Sequence, residues 1–167
     1  KTISFLMTDN YVKLMSMLNY KSEEYSWLKK HLNKVSRTFA LSIDYLPQPL
    51  EEYTCMQYLL CRIPDTIEDA NHISTSEKES LLTLYDNVIH RGRKETPTDF
   101  ISRVSEYQKS TDDWDLVMDS DKLISIYRNY PEEIQLAINP WVRELTRGMK
   151  EYSIRNSDVK GVRSQSE

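Results

Sequence analysis

The sequence predicts an all-α fold, and three observations carry that prediction. Apolar residues recur at the helical period through segment after segment, Ser, Thr and Pro punctuate the ends of those runs, and only 3 glycines occur in 167 residues. An average chain holds roughly 7% glycine, so a strand-and-turn architecture is disfavoured, and so are glycine-rich phosphate loops.

The elements follow in order. Residues from about Asp9 to Tyr20 suit a short amphipathic helix. Ser22 reads as the N-cap of a long helix through "EEYSWLKKHLNKVSRTFALSIDYL", with Glu24 in the first turn, where an acid suits the dipole. Pro47 and Pro49 close it, and the next helix runs from about Leu50 to Ala70. "STSEKESLLTLYDNVIHR" gives another, capped by Ser74 or Ser76 and ended near Gly92. "TPTDFISRVSEYQ" opens with Pro97 near the first turn, where a missing N–H costs nothing. "TDDWDLVMDSD" (111–121) reads as a solvated loop and helix start. "SDKLISIYRNY" and "PEEIQLAINPWVRELTRGMKEYSIR" complete the series, the latter expected to be interrupted at Pro140. No repeat or linker divides the chain, so 1–167 is expected to be one all-α domain of antiparallel neighbours. It begins with Lys1 and ends on the polar "GVRSQSE", which reads as part of a larger fold.

Bulk chemistry removes several function classes. With 39% hydrophobic and 29% charged residues the chain has the balance of a soluble protein. Its net charge is −4 and no basic stripe stands out, which disfavours nucleic acid as a partner. Neither GxGxxG nor GxxxxGK occurs, so a dinucleotide fingerprint and a P-loop are both absent. Cys55 and Cys61 point to different sides of one helix and match no zinc spacing, as expected of buried thiols in a reducing, cytoplasmic setting. No apolar run approaches the ~20 residues of a membrane span. Membrane contact is expected only as a peripheral one, through a lipophilic product or an anchor outside these residues.

The chemistry concentrates in "YLLCRIPDTIEDA", residues 58–70. With Tyr58 at zero and about 100° per residue, Arg62 falls near 40°, Asp65 near −20° and Asp69 near 20°. The four share one stripe, with Glu68 about 80° to one side. Two aspartates at i and i+4 repel each other, and Arg62 can neutralise only one of them. A D-x-x-E-D run on a helix is most often a solvated face. Here "QYLLC" directly precedes it, so the acids continue an inward stripe where they are costly unless used. Mg²⁺ is the natural partner, a hard cation that accepts one or two carboxylates, keeps water and shares substrate phosphates. Pro64 removes a helix hydrogen bond within this run, and either bends the helix or is tolerated.

"VSRTFALSI" (35–43) followed by "YLLCRIPDTIED" (58–69) resembles the squalene/phytoene synthase family of head-to-head prenyltransferases, and "RGMKEY" (147–152) resembles that family's glycine–methionine helix. The likeness runs from about Lys29 to Tyr152 and is closer to the squalene type. It implies a helical bundle of the isoprenoid synthase type, here its N-terminal portion. It implies Asp65, Asp69 and Glu68 as Mg²⁺ ligands, with Ser36, Arg37 and Arg62 contacting or orienting diphosphate. It further implies Tyr58 and Phe39 as walls of the prenyl cavity and Tyr58, Arg62, Asp65 and Asp69 as the reacting constellation. The expected reaction joins two prenyl diphosphates, farnesyl by expectation, with NADPH as an optional reductant.

The family's second aspartate-rich motif has no match here, and Pro64 stands where the family usually has a small helix former. The chain is therefore expected to need a complementary half, from a second polypeptide or from a copy of itself. Two other readings stay open: a non-catalytic half-domain acting in assembly or regulation, and another isoprenoid enzyme such as a head-to-tail synthase or terpene cyclase. The upstream S-R-T-F argues against the latter.

Overall fold

A computed structural model describes residues 23–89 and 95–163, with side chains through 155. Among the described residues the secondary structure is entirely helical. α1 covers 23–35, and α2 (Arg37–Asp44), α3 (Leu50–Asp69), α4 (Thr75–Ile89) and α5 (Pro97–Val104) follow. After a 3₁₀ turn at Ser105–Tyr107 come α6 (Asp112–Met118), α7 (Ser120–Arg128) and the long α8 (Glu132–Arg163). The helix expected near Asp9–Tyr20, the Ser22 cap and the Gly92 terminus lie outside the described residues.

α3 is the axis of the bundle. Cys55, Met56, Leu59, Leu60, Ile63 and Ile67 recur at helical spacing and are fully buried. α2, α4, α6, α7 and α8 all pack against it. This arrangement places the acidic C-terminal turns of α3 beside a solid apolar column, on a helix that cannot easily tilt. No helix among the described residues is long and apolar enough to cross a membrane.

Three local expectations are corrected. The helix through "SRTFALSI" is not continuous with the one before it. Ser36 adopts extended geometry (φ −158°, ψ 99°) and its side chain accepts from the Phe39 amide at 3.3 Å, starting α2 afresh. The apolar period runs across this break, which hid it. Residues 112–118, expected as a solvated loop and helix start, do start a helix, capped by Thr111, but it is not solvated throughout: Trp114, Leu116 and Val117 are buried. α8 passes through Pro140 without a break. Pro140 and Leu136 are both exposed, so water can reach the carbonyl that the proline leaves unmatched.

Pro64 is the opposite case, because it is buried. The proline cannot donate to the Leu60 carbonyl, and an orphaned carbonyl in the core is costly. The fully buried Tyr85 of α4 donates its hydroxyl to that carbonyl at 2.7 Å. α3 therefore remains helical to Asp69. Other caps fall where chemistry puts them: Ser74 accepts from the Glu77 amide, and Thr96 with Asp99 closes a capping box ahead of Pro97.

Candidate functional site

The last two turns of α3 carry Asp65, Glu68 and Asp69, and no basic residue lies in the final turn. Acids at a helix C-terminus oppose the dipole, at about 0.3–1 kcal/mol each when exposed. One external cation eases this: Lys78 of α4 donates to the Glu68 carbonyl. Burial raises the Asp65 pKa; Arg62 works against that rise, while Asp69 and Asp113 add to it. Glu68 is raised as well, by burial and then by Asp69. Burial thus disfavours the charged form of both carboxylates.

Arg62 is the hub. Its Nη1 donates to Asp65, and its Nε donates to Asp113 of α6 at 3.0 Å. Burial works against its charge, yet the Asp113 hydrogen bond and the two carboxylates hold its pKa above the ordinary value. Asp113 is the residue that sequence reasoning missed. It belongs to the 111–121 segment, and only the folding of α6 onto α3 brings it to the stripe.

Two clefts meet at Arg62. One, of about 270 Å³, is lined by Phe39, Tyr58, Cys61, Arg62, Asp65, Leu145 and Met149. Phe39 and Tyr58 form its aromatic wall, their ring centroids 5.2 Å apart. The other, of about 310 Å³, takes in Arg62, Asp69, His72, Lys109, Asp113 and Trp114. The expected stripe is thus divided. Tyr58, Arg62 and Asp65 share the apolar cleft with Phe39, whereas Asp69 lines the polar one. Asp69 is the last residue of α3, where the chain turns away at Ala70.

The remaining expected residues sit at the edge. Ser36 spends its hydroxyl capping α2, which brings Phe39 to the cleft. Arg37 is exposed in the first turn of α2 and makes no ion pair with any described residue. Cys55 is buried, as expected, whereas Cys61 is half-buried and reaches the cleft lining. Burial pushes both thiols up, to about 12 and about 11, so neither is a ready nucleophile.

Among the described residues no three His, Cys, Asp or Glu side chains converge as a ligand set. The donor chemistry nevertheless fits Mg²⁺ as a partial set. Asp65 and Asp69 are hard oxygen donors one helical turn apart, and Mg²⁺ commonly takes one or two carboxylates beside water and phosphate. Glu68, off the stripe, fits only an outer position.

The chain is similar to known proteins in sequence and in fold. The family model described as squalene/phytoene synthase matches residues 32–158. The chain is similar to a squalene synthase of Dictyostelium discoideum, 29% identical over 127 residues, covering 75% of this chain and 28% of that protein. It is also similar to a lycopaoctaene synthase of Botryococcus braunii, 28% identical over 152 residues, or 90% of this chain and 31% of that one. A solved structure described as the complex of TcSQS with the ligand E5700 superposes with a TM-score of 0.62 at 21% identity, over 78% of this chain and 36% of that one. That likeness shows the fold. The chain spans about a third of the length of the proteins it matches.

Proposed function

The chain belongs to the squalene/phytoene synthase family, and on that premise we propose that it carries one half of a Mg²⁺-dependent site joining two prenyl diphosphates, farnesyl diphosphate in the first instance, head to head. One observation supports the reading above others. Arg62 and Asp65 line the same cleft as the paired rings of Phe39 and Tyr58. Charged and aromatic groups in one cleft suit a ligand with an anionic head and an apolar tail.

The roles follow from position. Asp65 and Asp69 would hold Mg²⁺, which when bound neutralises charge building on the departing diphosphate. Arg62 adds a fixed guanidinium beside the same oxygens, and Arg37 an exposed cation in the first turn of α2. Phe39 and Tyr58 present ring faces to an allylic cation and keep water from it. Reduction with NADPH belongs to the same reading, with no described residue assigned to it.

Part of the enclosure is supplied from elsewhere. On α8, Trp141, Leu145, Gly148 and Tyr152 fall within about 60° of one another. Trp141 and Tyr152 are 66% and 58% exposed. Leu145 lines the aromatic cleft, and nothing lies within 4 Å of where a Gly148 side chain would begin. A glycine there costs about 1 kcal/mol of helix stability and suits a surface that another segment approaches. In the proposal that segment comes from a complementary half, in a second polypeptide or a copy of this chain, bearing the further acidic ligands.

The test is split-enzyme complementation. The chain alone should bind a thiolo analogue of farnesyl diphosphate without turnover. Diphosphate release should appear when a C-terminal portion of a family member is added, and should vanish with Asp65→Asn. Release that survives Asp65→Asn would contradict the assignment. Binding with no release under any complementation would favour a non-catalytic half-domain.

A further inference from the structure

Arg62 precedes Asp65 by three residues on α3, close enough to pair with it without help from the rest of the fold. Left to that pairing, the guanidinium would settle onto the Asp65–Asp69 stripe and consume carboxylate charge that a cation site needs. Asp113 limits this by accepting from Nε at 3.0 Å, across 51 residues of chain. Nη1 goes to Asp65, and Nη2 is left with no carboxylate partner among the described residues.

The Asp113 anchor is itself built in. Thr111 accepts from the Trp114 amide at 3.3 Å and fixes the first turn of α6. Trp114, Leu116 and Val117 are buried to either side of Asp113 and seat that helix. Lys34 of α1 stands 3.2 Å from Asp112 and 3.6 Å from Asp115, giving the flanking acids their own cation. Asp113 is thereby left to Arg62.

We propose that Asp113 is a positioning residue. It holds the Arg62 guanidinium between Asp65 and Asp113 where the two clefts meet, so that Arg62 can meet a diphosphate through Nη2 while pairing with Asp65 through Nη1 alone. The proposal rests on the diphosphate reading above, and its test separates the two.

Asp113→Asn keeps the shape and removes the charge. Against the thiolo analogue of farnesyl diphosphate with Mg²⁺, it should weaken binding roughly three- to tenfold. The same substitution in an Arg62→Gln background should change binding less than twofold, because Asp113 acts through Arg62. An equal loss in both backgrounds would overturn the proposal, since a merely structural role does not depend on Arg62. A second readout needs no ligand. The Arg62 Nε–H resonance, identified by its loss in Arg62→Gln, should be protected from exchange in the wild-type chain and in Asp65→Asn. It should lose that protection in Asp113→Ala, which removes the acceptor. Protection that persists in Asp113→Ala overturns the positioning role. Protection lost as expected, in a wild-type chain that binds no diphosphate, overturns the diphosphate reading and with it Asp113's part in binding.

Discussion

The Tyr85 hydroxyl donates to the Leu60 carbonyl at 2.7 Å, the group that Pro64 leaves without its helical partner. A hydrogen bond from α4 thus repairs α3 immediately before its acidic turns. Tyr85→Phe should cost about 1–3 kcal/mol, the penalty of an unsatisfied buried carbonyl. In a Pro64→Ala background the loss should fall to about half or less, because the restored amide then serves Leu60. Urea unfolding of the four chains in the cycle checks this. Equal losses in both backgrounds would mean that the hydroxyl does not compensate for the proline.

Glu68 and Asp69 press against the negative end of α3. The Glu68 pKa is raised, so ionised Glu68 is disfavoured in the fold, and a neutral side chain relieves that penalty at pH 7. Glu68→Gln and Asp69→Asn should therefore leave thermal stability unchanged or raise it, by up to about 0.5–1 kcal/mol. Asp69→Asn should still lose Mg²⁺-dependent binding of the diphosphate analogue. Calorimetric melting beside titration reads both; a marked drop in Tm would assign these acids a structural task.

Phe39 is 56% exposed although it faces Tyr58. Phe39→Ala should cost under about 1 kcal/mol of folding stability, since little area leaves water at that position. It should cost several-fold in affinity for the prenyl analogue and little for inorganic diphosphate. Equal effects on the two ligands would remove Phe39 from the tail-binding wall.

His31 is 4% exposed, stacks on Trp27 and has its Nε2 3.4 Å from Asp119. Burial lowers its pKa, with Asp119 opposing that fall only in part. As pH drops below about 6.5, the unfolded chain takes up this proton before the folded one, so stability declines. The decline ends once pH passes below the folded pKa. His31→Gln should flatten the stability profile over that interval, and an unchanged profile would show that other groups govern it.

That Tyr58, Arg62, Asp65 and Asp69 share one row of α3 was legible in the sequence, because helical rotation is a local rule; the division of that row between two clefts was not, because it depends on what packs around α3. Asp113 was not, because its contact with Arg62 exists only once α6 packs on α3, and three neighbouring aspartates resemble a solvated run. The Ser36 break escaped notice since apolar spacing continues across it; S-R-T-F contained the cap but did not announce it. Pro64 and Pro140 look alike in sequence and differ in burial alone. One needs Tyr85, the other only water.

Calorimetric titration of the folded chain with the thiolo analogue of farnesyl diphosphate, with and without Mg²⁺, tests the central claim most directly. Binding that requires Mg²⁺ and disappears in Asp65→Asn is the expected result. Binding indifferent to Mg²⁺, or intact in Asp65→Asn, would contradict the assignment of the α3 stripe as a diphosphate half-site.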